Sequence, residues 1–167
     1  MLVTVAETGD SSHYATMAVE AQTHLRSIGL TQWVPAAHEP YLPTLQSKVH
    51  QGELFKVVQG GTTVAYFCAS TAVPEWWNSR PAMALYVSGV VVDRGHKGQS
   101  IGTRILKWCH EYAVRGNLHY LRLDCHAESR WLCGYYLQQG FLEVCRVEQH
   151  PGYIGVLLEK QLLVVSQ

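Results

Sequence analysis

Residues 90–106 read VVVDRGHKGQSIGTRIL, and this segment carries the strongest indication of the fold. It begins in a Val-rich run that is typical of a β-strand, and we predict that strand over Met83–Val92. Apolar side chains at helical spacing then start at Ile101 and continue through Ile105. A glycine-containing loop therefore joins a strand to a helix.

The loop before this helix has the properties of an anion site. The first turn of a helix leaves backbone N–H groups unpaired, and the helix dipole adds partial positive charge there. Glycines allow that backbone to approach a ligand closely, so a pyrophosphate is the natural guest. The loop lacks the Gly-Lys-Ser/Thr of a P-loop and does not match G-x-G-x-x-G. An ordinary strand-to-helix turn has the same local pattern, and the stretch alone leaves both interpretations open.

The elements on either side of the stretch predict the fold class. We expect further strands at 2–6, 53–58, 62–70, 118–123, 141–147 and 153–158, and further helices at about 10–28, 40–52 and 128–139. The order β-α-α-β-β-β-α-β-α-β-β indicates a mixed sheet flanked by helices, an α/β or α+β layered fold. The 167 residues contain no repeat and no low-complexity linker, so we expect a single domain over 1–167.

Composition excludes several classes of function. Lys plus Arg and Asp plus Glu are both 13, which argues against a broad footprint for nucleic acid or an anionic membrane. No apolar run approaches the roughly 20 residues of a membrane span, and no signal peptide is recognisable at the N-terminus. The five scattered cysteines favour reduced thiols and a cytoplasmic location. Cys125, His126 and Cys133 are close in sequence but lack paired C-x-x-C spacing, so we favour buried apolar thiols over a metal site.

Two motifs in the right order resemble the GNAT superfamily of acyl-CoA N-acyltransferases. The family has Arg/Gln-x-x-Gly-x-Gly/Ala after its central strand, and this chain has Lys97-Gly98-Gln99-Ser100-Ile101-Gly102. Lys97 keeps a cation at the first position, and Ser100 replaces a glycine. The second family motif is Asn-x-x-Ala-x-x-Leu-Tyr-x-x-x-Gly-Phe. Here Ser129 stands at the Asn position, Tyr136 at the Tyr position, and Gly140-Phe141 closes the motif.

The resemblance implies a mixed, mostly antiparallel sheet of about seven strands with four helices, splayed between strands 4 and 5 at a bulge. It also implies acetyl-CoA as co-substrate, without a metal. The Val90 amide would face the thioester oxygen, Val92 would bond the pantetheine arm beside Val91, and Ser129 would bond the same arm. The resemblance assigns the pyrophosphate to a run of backbone amides after Lys97: Gly98, Gln99, Ser100, Ile101, Gly102 and Thr103.

The resemblance also assigns the proton donor, but not the base. Tyr136 would be the general acid at the CoA sulfur, although a tyrosine there could instead only pack against CoA. Some relatives carry a catalytic Glu where this chain has Tyr86, and a tyrosine with a pKa of about 10 is a poor base. Tyr86 and Ser88 share a face of the strand and could order a water that relays the proton. Glu75, His38 or His126 are the alternatives, and we favour the relay.

We expect the acceptor pocket where the loop between the first two helices meets the insertion before the central strand. Gln32 and Trp33 lie in the first segment, and Glu75, Trp76 and Trp77 in the second. Aromatic rings with one carboxylate suit a cationic or aromatic amine, although each Trp could equally pack in a core or a dimer interface.

These observations favour acetylation of a primary amine on a small molecule. Acetylation of a protein or peptide N-terminus and a catalytically silent acyl-CoA-binding module are the alternatives. Exposed Trp residues and a C-terminal strand pair are compatible with a homodimer.

Overall fold

The computed structural model of the protein describes residues 1–30, 38–80 and 82–163, and for 38–42 it describes the backbone alone. The described residues contain seven strands and four α-helices. In chain order these are β1 (Leu2–Val5), α1 (Asp10–Ser27), α2 (His38–His50), β2 (Leu54–Gln59), β3 (Thr62–Ser70), β4 (Ala84–Val92), α3 (Ile101–Arg115), β5 (Tyr120–His126), α4 (Arg130–Gln138), β6 (Leu142–His150) and β7 (Tyr153–Gln161). Short 3₁₀ turns at Glu75–Trp77 and Arg94–His96 precede β4 and α3 respectively.

The chain forms two compact units, each made of two segments. Met1–Ala69 and Ser88–Gly102 form the first unit, and Ser70–Val87 with Thr103–Gln167 form the second. In the first unit β1, β2 and β3 pair antiparallel, and the core is built from Tyr14, Leu45, Leu54 and Tyr66, all nearly inaccessible to water. In the second unit β7 pairs antiparallel with both β5 and β6.

Strand β4 has residues in both units. The strand order of the sheet is β1-β2-β3-β4-β5-β7-β6. Its pairing with β5 is parallel and covers three residue pairs, from Ala84–Tyr120 to Tyr86–Arg122. Among the described residues, β4 has no hydrogen-bonded partner on β5 after Tyr86. The predicted mixed, mostly antiparallel seven-stranded sheet with four helices is confirmed, and the early end of the parallel pair agrees with the predicted splay.

Element boundaries differ most at β5. The sequence predicted a strand over 118–123, whereas the strand covers Tyr120–His126. Asp124 and His126 interrupt the apolar pattern but pair with Leu157 and Gly155 of β7, so the ladder continues through them. Three residues that the sequence placed in a loop, Asp124, Cys125 and His126, therefore lie on a strand.

None of the described helices is both long and apolar enough to cross a bilayer.

Candidate functional site: a strand-loop-helix anion site and a half-buried tyrosine

The middle of β4 contains a glycine with a left-handed backbone conformation. Gly89 has φ +59°, a value that only glycine adopts without strain, and its carbonyl accepts a 2.9 Å hydrogen bond from the Tyr14 hydroxyl. After this residue Val91 points into the core, while Val90 and Val92 are half-buried, and Ser88 before it is exposed. Left-handed glycine inside a strand is typical of the bulge that the family resemblance predicted.

The loop after β4 has two more left-handed residues. Gly98 has φ +82° and Ser100 has φ +55°. A left-handed conformation costs a serine about 1–2 kcal/mol, which glycine, the residue of the family motif that this loop resembles, would avoid. A hydrogen bond of 2.5 Å between His96 Nδ1 and Asp93 Oδ2 holds the start of the loop.

Several amides around this loop point away from backbone acceptors. Among the described residues, no hydrogen bond is formed by the amides of Gly98 and Ser100, whereas the Gln99 amide donates a long 3.4 Å bond to the His96 carbonyl. Helix α3 begins at Ile101, so the first-turn amides of Ile101, Gly102 and Thr103 have no partner within the helix.

The residues present fit a phosphate group. A side chain built on Gly98 would meet no atom within 4 Å, so the space beside this backbone is open. Lys97 is exposed and forms no ion pair with any described carboxylate. Unpaired amides, a helix N-terminus and an available cation are the donor set that binds phosphate in proteins. The arrangement can hold a pyrophosphate.

The second unit positions Tyr136 and Ser129 on one helix. Ser129 is the buried N-cap residue of α4, and its side chain makes no capping hydrogen bond. Tyr136 lies two turns further on, half-buried against Tyr135 and Phe141. Burial, and then the nearby Cys125, raises the pKa of the Tyr136 phenol well above its ordinary value. The phenol therefore keeps its proton at neutral pH, as a general acid must.

A hydrogen bond links this helix to the start of α3. Thr103 Oγ1 and Tyr135 Oη are 3.1 Å apart, and Trp131 stacks on Tyr135 with ring centroids 5.8 Å apart. Thr103 was predicted as a phosphate-binding residue. The bond fixes its hydroxyl beside α4, in the unit that holds Tyr136.

The insertion before β4 places its two Trp residues differently. Trp77 is buried, with 1% of its surface exposed, and the Arg122 guanidinium lies 4.3 Å from the centroid of its ring. Trp76 is half-buried, and Glu75 is exposed. Trp77 is thus a core residue, and Trp76 and Glu75 are the members of this predicted acceptor group that have solvent access.

Tyr86 is buried beside the same arginine. Its hydroxyl accepts a 3.1 Å hydrogen bond from Arg122 Nη1, and Arg122 also pairs with Glu159 at 2.6 Å. Glu159 thereby balances the positive charge of the Arg122 guanidinium. Nη1 of the same guanidinium also donates a 2.6 Å hydrogen bond to the Arg80 carbonyl. This network fixes the insertion to β5 and occupies the Tyr86 hydroxyl.

Asp124 is a candidate that the sequence prediction missed. Its carboxylate accepts hydrogen bonds from Trp76 Nε1 at 3.3 Å and from Gln149 Nε2 at 3.0 Å. Burial raises the pKa of this carboxyl above its ordinary value, since the two hydrogen bonds compensate only in part, and no described cation pairs with it. The signal was the alternation of polar residues at Arg122, Asp124 and His126, which marks one polar face of a longer β5.

The remaining predicted residues do not join this group. His126 is buried and stacks on Tyr153 with ring centroids 4.2 Å apart. Gln32, Trp33 and the side chain of His38 lie outside the described residues. In the described part of the chain, no three His, Cys, Asp or Glu side chains are grouped to hold a metal ion.

Comparison with known proteins connects this geometry to a family. The model of the acetyltransferase (GNAT) family matches residues 20–141. A curated relative, an uncharacterized N-acetyltransferase named YesJ from Bacillus subtilis, is 23% identical over an alignment of 137 residues that covers 79% of this chain and 76% of that protein.

Two solved structures share the fold. A GNAT-family acetyltransferase from Listeria monocytogenes superposes with a TM-score of 0.78 at 20% identity, covering 96% of this chain and 94% of that one. YncA from Salmonella typhimurium, a putative acetyltransferase solved with acetyl-CoA, superposes with a TM-score of 0.69 at 14% identity, covering 100% and 96%. Since the family model covers most of the chain, the protein belongs to the GNAT family and is an acyl-CoA-dependent acetyltransferase.

Proposed function

We propose that the protein transfers an acetyl group from acetyl-CoA to a primary amine of a small molecule, by direct attack while both substrates are bound. The observation that carries the proposal is the left-handed loop before α3, where the amides of Gly98 and Ser100 have no partner among the described residues and the exposed Lys97 lies beside them in sequence. The relative solved with acetyl-CoA supports this choice of acyl donor. Because β4 and α3 each run from one unit into the other, we also propose that residues 1–167 act as a single domain.

The donor would be held along β4 and the loop. The Val90 amide would bond the thioester oxygen, Val92 would bond the pantetheine arm with Val91 anchoring the strand in the core, and Ser129 would bond the same arm through its hydroxyl. The pyrophosphate would be bound by the backbone at Gly98, Ser100, Ile101, Gly102 and Thr103. Gln99 contributes less, since its amide already donates to His96.

The reaction requires three events that these residues can serve. The neutral amine nitrogen attacks the thioester carbon, and the oxyanion that forms is stabilised by the Val90 amide. When the carbon–sulfur bond breaks, the Tyr136 phenol gives its proton to the CoA thiolate. Its raised pKa keeps the proton available until that step.

The amine proton must also leave, and two groups could accept it. One is the water relay at Tyr86 and Ser88 that the sequence predicted. The other is Asp124, which we favour because a carboxylate accepts a proton directly, whereas the hydrogen bond from the Arg122 guanidinium makes the Tyr86 oxygen a weaker proton acceptor. Burial raises the pKa of Asp124 toward that of a useful base, and its charge lies near enough to Tyr136 to raise the pKa of that phenol too.

The same carboxylate defines the class of acceptor. Trp76 donates to Asp124, so an aromatic ring lies beside a carboxylate that has no cationic partner among the described residues, and the exposed Glu75 is next to Trp76 in sequence. A protonated amine would be attracted by both the carboxylate and the ring, and would then lose its proton to Asp124. We therefore expect cationic small amines to be preferred acceptors.

The test is thiol release from acetyl-CoA across a panel of small primary amines and of short peptides with free N-termini. Faster release with small cationic amines supports the proposal, whereas release with peptides alone assigns the protein to N-terminal acetylation. Binding of acetyl-CoA without release by any amine would favour the silent module. Asp124→Asn should abolish most of the amine-dependent release, with Glu128→Gln, an exposed carboxylate near the start of α4, as the matched control.

A further inference from the structure

Two cysteines that are eight residues apart in sequence lie in contact. The Sγ atoms of Cys125, on β5, and Cys133, in the first turns of α4, are 3.3 Å apart, and both thiols are free. A disulfide has an S–S distance of about 2.05 Å, so the two sulfur atoms need to approach by little more than 1 Å. No other pair of cysteine thiols in the described residues has such a contact.

The two thiols differ in access to solvent. Cys125 is buried, with 1% of its surface exposed. Cys133 is half-buried and lines an open groove of about 750 Å³ between α4 and β6, together with Arg130, Leu137, Glu143 and Arg146. A small oxidant can reach Cys133 through this groove and cannot reach Cys125 directly.

We propose that Cys125 and Cys133 form a modification site at which a peroxide produces a reversible disulfide. Peroxide first oxidises the Cys133 thiol to a sulfenic acid and is reduced to water. The Cys125 sulfur then attacks the Cys133 sulfur, the S–S bond forms, and the hydroxyl leaves with the Cys125 proton as a second water. The two electrons taken up by the peroxide come from the two thiols, and a dithiol reductant reverses the bond.

The order of the two steps follows from the environment of each thiol. Burial, and then the hydrogen bond with Cys133, raises the pKa of the Cys125 thiol above its ordinary value, so this thiol is not the first target of an oxidant. Its position against Cys133 makes it the resolving thiol. A resolving thiol in contact is the arrangement that stops oxidation at the reversible stage.

The disulfide would act on the helix that carries the catalytic groups. The Cys133 amide donates a 3.0 Å bond to the Ser129 carbonyl, and Cys133 is three residues before Tyr136. Drawing Cys133 toward β5 displaces this first turn of α4. This consequence, unlike the disulfide itself, rests on the proposed function, in which Ser129 binds the CoA arm. We expect acetyl-CoA to bind about fivefold more weakly to the oxidised protein, which is the loss of one hydrogen bond.

The experiment treats the reduced full chain with a graded excess of hydrogen peroxide and measures the intact mass and the peptide map. The expected result is the loss of two hydrogen atoms, a peptide linking Cys125 to Cys133, and full reversal by dithiothreitol. Cys133→Ser should lose this product, and Cys145→Ser, which removes another half-buried thiol, should keep it. Oxygen addition to Cys133 without a link, or a link that involves Cys145, would overturn the proposal.

A titration of the reduced and oxidised protein with acetyl-CoA then tests the coupling. Weaker binding after oxidation in the wild type, but not in Cys133→Ser, is the expected result, and equal binding would overturn the coupling to α4. If the reduced protein itself binds no acetyl-CoA, the proposed function fails, while the mass measurement still decides whether the disulfide forms.

Discussion

Replacing Gly89 by Ala tests whether the left-handed backbone and the close approach of Tyr14 at this position of β4 require a glycine. At this residue a Cβ would lie less than 3.0 Å from the Tyr14 hydroxyl oxygen, and φ is +59°. The left-handed backbone costs an alanine about 1–2 kcal/mol, and the overlap adds about 1–3 kcal/mol. We therefore expect Gly89→Ala to lower the free energy of unfolding by about 2–5 kcal/mol.

A second substitution separates the two contributions. Tyr14→Phe removes the hydroxyl, after which the nearest atom to the added Cβ would be Tyr14 Cζ at 3.6 Å, an ordinary contact. Tyr14→Phe alone should cost about 1 kcal/mol, through loss of the hydrogen bond to the Gly89 carbonyl. In that background Gly89→Ala should cost only the backbone contribution, about 1–2 kcal/mol.

The assay is urea unfolding of the wild type, both single variants and the double variant, analysed as a double-mutant cycle. Gly52→Ala is the matched control, because Gly52 has φ +69° and nothing within 4 Å of an added Cβ, so it reports the backbone cost alone. Equal destabilisation by Gly89→Ala and Gly52→Ala, or an effect of Gly89→Ala that is unchanged by Tyr14→Phe, would show that the Tyr14 hydroxyl does not restrict this position to glycine.

Three further predictions concern the site. Tyr136→Phe should slow thiol release about 10²–10⁴-fold and leave the affinity for acetyl-CoA unchanged in calorimetry. Tyr112→Phe, at an exposed tyrosine, is the control, and an unchanged rate in Tyr136→Phe would exclude the acid role. Ser100→Gly should stabilise the protein by about 1 kcal/mol in thermal unfolding, because it removes a left-handed serine; a loss of stability would contradict this. The pKa of Asp124 is raised from 3.8 in the fold, so between 3.8 and the raised value the unfolded chain has lost a proton that the folded chain keeps. In urea titrations, the free energy of unfolding of the wild type should therefore fall relative to that of Asp124→Asn as pH rises through this window. A difference between the two proteins that does not change with pH would contradict the raised pKa.

The segment made of β4, the loop and the start of α3 was predictable, because its residues are contiguous in the sequence. The strand, the loop and the helix over 83–115 follow from local periodicity and from glycines, and the boundaries at Val92 and Ile101 agree with the prediction. The left-handed conformation of Ser100 was not predicted, since serine adopts it rarely and only the surrounding backbone imposes it.

The parts that depend on tertiary contacts were not predictable in the same way. Trp76 and Trp77 are adjacent in a Pro-rich insertion, and only the position of Arg122 shows that Trp77 is core while Trp76 reaches Asp124. Asp124 itself was missed because a polar residue at the end of an apolar run looked like the end of the strand. The contact between Cys125 and Cys133 likewise depends on how α4 packs against β5.

The most direct test of the central claim is calorimetric titration of the purified protein with acetyl-CoA, followed by thiol release and product mass after a cationic primary amine is added to the same sample. Saturable binding at one site, and CoA thiol released in a one-to-one ratio with an N-acetylated amine, is the predicted result. Absence of binding would mean that Lys97, Gly98 and Ser100 do not form a phosphate site and that acetyl-CoA is not the co-substrate.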